Sequence, residues 1–282
     1  MRTCLAASML VLLTCPDLWA LKKEVDALGV AQQTVQSEAV VVGTVASIEK
    51  ELAEVKSHPD AKETTAYSVA VVKVDTAIHG AKNTTHIRVG FILRAVQQNE
   101  LRSKDDFPRE PNLDEGGKYL LFLQKHPVGG FYTYGYATPP QKLPAEAAIA
   151  EAKLAAAAIA DPMMALKAEK AQDRALAAIA LLMHYRKPAG RGEVDLVPID
   201  AEENAAILKA ISEGDWTAAV TGHVTLWSAY QYLGLTDKDG WKHPTIKPGE
   251  NHNLVMQKTF QDWLAGPGAK FRFQKYVAKA KK

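Results

Sequence analysis

One valine-rich stretch, residues 67–80, constrains the fold of this chain more than any other. Branched side chains such as Val71 lose little conformational freedom in a pleated strand, so the stretch favours β structure. Its second part alternates in polarity, as a strand with one buried and one wet face does. The alternation places Val72, Val74 and Ile78 on one face and Lys73 and Asp75 on the other. Gly80 starts the turn that follows, and we expect a long strand at the centre of a β-rich region.

Four more apolar stretches predict strands in the same half of the chain. They lie at residues 39–48, 84–91, 118–125 and 131–136. Gly43 inside the first of them indicates a bulge or a bend. The polar residues 49–64 predict a loop with a helical turn at 50–55, and a long insertion separates the third strand from the fourth. Five strands in this arrangement match the element order of an OB-fold barrel.

Three of these strands have a more specific pattern. They are Val40-Val-Val-Gly-Thr-Val, Tyr67-Ser-Val-Ala-Val-Val-Lys-Val and Lys118-Tyr-Leu-Leu-Phe-Leu. The pattern resembles the netrin-like module, which occurs in tissue inhibitors of metalloproteinases and in complement proteins. The resemblance covers residues 38–140 and implies an OB-type barrel with a general partner-binding role. Those inhibitors bind the protease zinc through an N-terminal cysteine that is absent from this mature chain, so the resemblance transfers no functional residue.

The first twenty residues have the pattern of a secretory signal peptide. Arg2 is followed by the apolar residues 5–13, and Ala20 offers a small residue at the cleavage point. An alternative is a lipoprotein signal with Cys15 as the lipidated residue, although Thr14 is larger than the residue such signals place there. We therefore expect a secreted or periplasmic protein.

Cysteine content and charge exclude several classes of protein. Cys4 and Cys15 are the only cysteines, and both lie in the predicted signal peptide. The mature chain therefore has no disulfide framework, catalytic thiol or thiolate zinc site, and its apolar core must stabilise it. A formal net charge of +2 gives no strong overall field, which argues against nucleic acid as a partner.

The sequence predicts helices in the second half of the chain. A proline-rich linker at residues 137–144 precedes a sharp rise in alanine content. Start and stop signals predict helices at 145–160, from Asp161 through Arg186, and at 201–213, 226–233, 253–265 and 269–282. We expect an all-α bundle over residues 145–282, or a short stack of HEAT-like helix pairs. The whole chain is then α+β, with a signal peptide at 1–20, a barrel domain at 38–140 and this helical domain.

Catalytic motifs are absent from the sequence. It has no nucleophile elbow, phosphate loop, dinucleotide fingerprint or His-Glu-x-x-His motif, so we expect neither an enzyme nor a cofactor. The nearest approach to a site is the set His243, Glu250 and His252, because two imidazoles and a carboxylate suit zinc. These residues leave two interpretations open. They are the ligands of a metal-dependent hydrolase, or they are solvated residues of a loop.

The end of the chain is strongly basic. Residues 269–282 contain six basic residues and no acidic one. This tail, Lys270–Lys282, suits contact with anionic lipid or cell-wall polymer, although cations also suit the end of a helix. Three hypotheses follow. The chain is an exported non-enzymatic module that binds another exported protein, a metal-dependent hydrolase, or a cell-envelope scaffold that uses its tail.

Overall fold

The structure is a computed structural model that describes residues 29–92, 112–135, 138–187, 193–222 and 224–279. Within those residues the chain is a mixed α+β protein with seven α-helices and eleven strands. The predicted signal peptide at 1–20, with Cys15, lies outside the described residues.

The first seven strands form one sheet. They are β1 (Ala39–Ile48), β2 (Ala53–Lys56), β3 (Thr64–His79), β4 (His86–Phe91), β5 (Lys118–Lys125), β6 (Tyr132–Thr133) and β7 (Gln141–Lys142). The pairings run β1–β3–β4–β6–β5, and β5 pairs again with β1, so five strands form a closed ring of pairings. All of these pairings are antiparallel except β4 with β6. Outside the ring, β2 extends β3, and β7 pairs with β5.

The strand predictions agree closely with the structure in places. β1 and β5 have the predicted bounds, and the register of β1 against β3 shifts at Gly43, which confirms the predicted bulge. A Cβ atom at Gly43 would lie 2.7 Å from the carbonyl oxygen of Lys73, so the close strand crossing requires glycine.

Three sequence predictions for this half are wrong. The expected helical turn at 50–55 is strand β2, which pairs with the start of β3. The expected linker contains β7. Ile78 is not on the face of Val72 and Val74, because the register shifts at Asp75, between Val74 and Ile78, and the alternation moves to the opposite face.

The sheet is apolar on both of its faces. One cluster draws on all five strands of the ring, and it includes Val41, Val45, Val72, Val89, Leu121 and Leu123. The opposite face packs Val40, Val42, Leu120 and Phe122 against the first helix of the second half. Burial on both faces explains why β1 and β5 are nearly continuous apolar runs instead of alternating ones.

The helices are α1 (Val30–Gln36), α2 (Glu146–Ala160), α3 (Pro162–Leu166), α4 (Ala171–Arg186), α5 (Ala201–Glu213), α6 (Leu226–Leu233) and α7 (His252–Ala265). The predicted caps are confirmed, because Asp161, Asp200 and Thr225 each accept a hydrogen bond from a backbone N–H of the following turn. All nine residues at 175–183 are buried, so α4 is the central helix of this half.

The second half is not all-α, contrary to expectation. Four short strands accompany the helices: β8 (Val194–Pro198), β9 (Ala219–Thr221), β10 (Val224–Thr225) and β11 (Gln274–Ala278). The predicted last helix is wrong, because its described residues hold β11, which pairs with β8. Phe271 and Phe273 alternate with Lys270 and Arg272, which is the period of a strand, and Phe273 is buried whereas Arg272 is exposed.

Helix α1 precedes the sheet but packs in the helical half. Ala31 and Val35 belong to the same apolar cluster as α4. At the start of α1, the Glu151 carboxylate of α2 accepts hydrogen bonds from the backbone N–H of Ala31 (3.0 Å) and from the hydroxyl of Thr221. At its end, the Lys187 ammonium donates to two backbone carbonyls of α1, at 3.0 and 3.1 Å. Both ends of α1 are therefore bound to the second half.

Replacing Glu151 with alanine should lower the free energy of unfolding by about 1–3 kcal/mol, because the Thr221 hydroxyl loses its acceptor and the Ala31 N–H keeps only its 3.2 Å hydrogen bond to that hydroxyl oxygen. Urea denaturation of the purified chain measures the effect. Lys153→Ala is the matched control, because this exposed residue lies on the same helix, and its change should stay within about 0.5 kcal/mol. Equal values for the two variants would contradict the role of Glu151.

Candidate functional site

The three candidate metal ligands lie exposed at the surface. The ring of His243 meets Trp241 edge-on, with centroids 5.8 Å apart, and the ring of His252 meets Trp227 at 4.9 Å. Glu250 closes a turn by accepting the backbone N–H three residues before it. Among the described residues, no group of three His, Cys, Asp or Glu side chains is placed to hold a metal ion. The hydrolase hypothesis therefore gains no support from the geometry.

Both histidines lie at the rim of an aromatic core. Tyr230 lies at its centre, stacked on Trp227 at 5.1 Å and packed against Trp241 at 5.0 Å. Burial raises the pKa of the Tyr230 hydroxyl to about 12, so this group stays protonated at neutral pH. Packing against tryptophan accounts for the position of both imidazoles.

A shallow groove of about 590 Å³ lies beside the turn that precedes β5. Its charged side chains have both signs, and Asp114 pairs with Lys142 at 3.6 Å. Because these opposite charges meet each other across an exposed surface, the groove favours no particular ligand charge.

The basic tail forms one strand of a two-stranded antiparallel ribbon, β8 with β11. Lys279 closes its tip: the backbone N–H donates to the carbonyl oxygen of Glu193 (3.0 Å), and the ammonium meets the carboxylate of that residue at 2.8 Å. The last three residues, 280–282, lie outside the described ranges. In the part of the chain that the structure describes, no helix has the length and the apolar composition needed to cross a membrane.

Asn204 of α5 anchors the base of the ribbon. Its amide nitrogen donates to the carbonyl oxygen of Phe271 (2.9 Å), and its amide oxygen accepts the backbone N–H of Phe273 (2.8 Å). The side chain thus hydrogen-bonds to the backbone of the tail in the way that a neighbouring strand would. The guanidinium of Arg186 lies 4.6 Å from the ring centre of Phe273 and 5.3 Å from that of Tyr276, which fixes β11 against the end of α4.

Beyond this base the ribbon projects into solvent with apolar side chains exposed. Leu196 is 51% exposed, Val197 40% and Val277 39%. Strand β8 pairs only with β11 among the described residues, so its other edge has no strand beside it. An exposed apolar edge strand is unusual in a protein that has no partner for it.

The hydrogen bonds at the two ends of the ribbon show which backbone groups this edge offers. Ile199 donates its N–H to the carbonyl of Phe273, and Glu193 accepts from Lys279. Because successive residues of an antiparallel strand point to opposite edges, odd-numbered residues face β11 and even-numbered residues face outward. The outward N–H groups are therefore those of Val194 and Leu196. Pro198 has no N–H and also faces outward, as strand proline usually does.

Sequence reasoning missed the ribbon, although signals for it were present. Val194-Asp-Leu-Val-Pro198 is a short β-favouring stretch, and Phe271 and Phe273 alternate with basic residues. The cations of the tail also suit the end of a helix, so composition alone does not distinguish the helix from the strand.

Comparison with known proteins assigns no family to the chain. No protein-family model matches the sequence, and no curated protein matches it significantly.

Replacing Asn204 with alanine should lower the free energy of unfolding by about 1–3 kcal/mol and speed amide exchange at Phe273, because buried backbone groups lose their partners. Urea denaturation and hydrogen exchange followed by NMR measure the two effects. Lys209→Ala on the same helix is the control: the ammonium of this exposed lysine lies 3.8 Å from the carboxylate of Glu213, and its loss should cost less than about 0.5 kcal/mol. Unchanged exchange at Phe273 would show that Asn204 does not anchor the ribbon.

Proposed function

We propose that this chain is an exported, non-enzymatic module that binds an extended segment of another exported protein along the outer edge of β8. The observation that carries the proposal is that, in the part of the chain that the structure describes, no strand pairs with the outer edge of β8, beside which Leu196 and Val197 are exposed. An added strand would use the backbone for affinity and the alternate side chains for selectivity.

The energetics of small sheets support this mode of binding. A two-stranded ribbon is marginal in water, whereas a third strand completes a more stable unit. The outward N–H groups of Val194 and Leu196 would find carbonyl partners in the added segment. Leu196 and Val197 point to opposite faces of the ribbon, so apolar residues on both faces of the segment would be covered. The preferred ligand is therefore a short extended peptide with neighbouring apolar residues.

We further propose that the ring of β1, β3, β4, β6 and β5 is an OB-type barrel of the netrin-like kind. The closed order of its pairings and the apolar cluster that draws on all five strands support the proposal. In this scheme the barrel is a stable body that carries the helical half, and the ribbon makes the contact with the partner. The signal-like first twenty residues support export, to the periplasm or outside the cell.

Replacing Leu196 with proline should weaken binding of an extended peptide at least about tenfold, because it removes an outward N–H and leaves the bonds to β11 intact. Peptides selected from a displayed library on the purified mature chain supply the ligand, and calorimetry measures affinity. Leu196→Thr is the matched control, since it shortens the side chain but keeps the N–H, and it should lose less affinity.

The position of binding is read from backbone amide shifts, which should concentrate at Val194 and Leu196. Selected peptides that bind the Leu196→Pro variant as well as the parent chain would overturn the proposal. So would amide shifts confined to the sheet of the N-terminal half. Self-association in sedimentation that Leu196→Pro abolishes would assign the edge to a second copy of the chain instead of a different protein.

A further inference from the structure

A buried histidine closes the hairpin that connects β5 to β6. His126 directly follows β5 and is only 7% exposed. Its Nδ1 atom accepts the backbone N–H of Gly129 at 2.8 Å and that of Val128 at 3.3 Å. Its own backbone N–H donates to the carbonyl oxygen of Phe131 at 2.8 Å. One residue therefore holds both the bend of the hairpin and its return toward β6.

These hydrogen bonds fix the protonation state of the imidazole. A ring nitrogen that accepts N–H groups carries no proton, so the single proton of the neutral ring lies on Nε2. The Nε2 atom is buried and has no hydrogen-bond partner among the described residues. A second proton can enter the ring only at Nδ1, where it would displace the two backbone N–H groups. The closed hairpin and a charged His126 therefore exclude each other.

Two aromatic rings cover the imidazole. The ring centroids of Tyr67 and Phe131 lie 5.1 and 4.8 Å from that of the imidazole. Their π systems attract a cation, but this attraction replaces neither the bonds to Nδ1 nor the hydration that a charged imidazole loses on burial. Phe131 is itself tightly held, because a Cβ atom at Gly90 of β4 or at Gly129 of the hairpin would collide with its ring. His126 thus lies in the contact that joins the hairpin to β3 and β4.

In the part of the chain that the structure describes, no anion compensates a charge at this position. Tyr67 is the ionisable residue that β3 brings to the imidazole, and a phenol is neutral in the acid range. The hairpin residues 127–130 have no ionisable side chain. The ionisable residues of the adjoining strands are exposed, and they are Glu54 and Lys56 of β2, His86 and Arg88 of β4, and Lys125 of β5. Burial accordingly lowers the pKa of the His126 imidazole.

The hairpin controls how the ring of strands closes. Among the described residues, β4 is joined to β5 through β6, a strand of only two residues. Tyr132 of β6 pairs with Val89 of β4 and with Lys125 of β5. Because β6 begins directly after Phe131, loss of the hairpin bonds frees the strand that completes the ring. It also uncovers the Phe131 side chain, which is buried in the closed form.

We propose that His126 is a pH-sensitive latch, which holds β6 in the ring at neutral pH and releases it in acid. In the open hairpin the imidazole meets water and takes up a proton near the usual pKa of about 6.5. The stability of the closed hairpin is therefore fully present above that pH, and it is lost by about tenfold in the closing equilibrium for each pH unit below it. The latch needs no peptide at β8, so it goes beyond the proposed function and stands apart from it.

The first test observes the imidazole of the full mature chain by NMR and needs no variant. At pH 7.5 the ring nitrogen shifts of His126 should show a neutral imidazole with its proton on Nε2. The titration midpoint of this ring should lie below about 5.5, at least one unit under the usual value. A proton on Nδ1 at pH 7.5, or a higher midpoint, would refute the latch.

Hydrogen exchange followed by NMR measures the opening itself. After correction for the intrinsic exchange rate, protection of the Gly129 amide should fall about tenfold between pH 7.5 and 5.5. Val45 is the internal control, because its N–H binds the carbonyl of Gly117 at 2.9 Å in another part of the ring, and its protection should not change. Equal losses at the two amides would indicate general unfolding in acid and contradict a local latch, and so would constant protection at Gly129.

His126→Asn isolates the titrating group, because Oδ1 of asparagine accepts N–H groups and does not titrate in this range. In this variant the protection of Gly129 should be the same at both pH values. His86→Asn, at an exposed histidine of β4, is the matched control and should keep the tenfold change. Persistence of that change in His126→Asn would overturn the proposal. If His126→Asn does not fold, the tautomer and the midpoint of the parent chain decide.

Discussion

The attachment of α1 at both of its ends is the constraint on which the two halves depend. This helix is only seven residues long, and a helix of that length has little stability of its own in water. The Glu151 carboxylate satisfies one of its free N–H groups, and Lys187 satisfies carbonyls at the other end. Because β1 follows α1 almost directly, fixing α1 in the helical half also fixes where the sheet begins. The Thr221 hydroxyl extends the same bonds to β9.

The sheet depends on the helical half in its turn, because one of its apolar faces has to be covered. Its second face presents Val40, Val42 and Phe122, which water would solvate poorly, and α2 covers that face through Ile149 and Ala152. The alanine-rich sequence of α2 suits this position, since small side chains let the helix lie close to both the sheet and α4. The sheet and the helices therefore share α2 as a common layer, and neither half buries its apolar surface without the other.

Local signals account for what the sequence predicted correctly. Asp161, Asp200 and Thr225 are caps, which bind backbone groups a few residues away, so the starts of their helices could be placed within a residue or two. The single helix predicted from Asp161 through Arg186 is wrong, because the structure divides it into α3 and α4. Features that depend on distant partners were missed. Strand β11 pairs with β8, which lies about 80 residues earlier in the chain. The face on which Ile78 lies depends on bulges in the pairing of β3 with β1. The candidate site shares this limit: His243 and His252 could be named from sequence, but only packing shows that each lies against a tryptophan.

The ribbon also has features that would make the proposed binding at its edge selective. Strand β8 is five residues long, and Pro198 removes one of its outward donors, so an indiscriminate strand gains only two N–H bonds there. The charge of Asp195 and the cations of β11 discourage apolar stacking on the ribbon. Lys279 and Glu193 close the tip, where the pairing could otherwise extend. In the proposed mode of binding, a partner must therefore add side-chain contacts at Leu196 and Val197 to bind well, and those contacts would discriminate among extended segments.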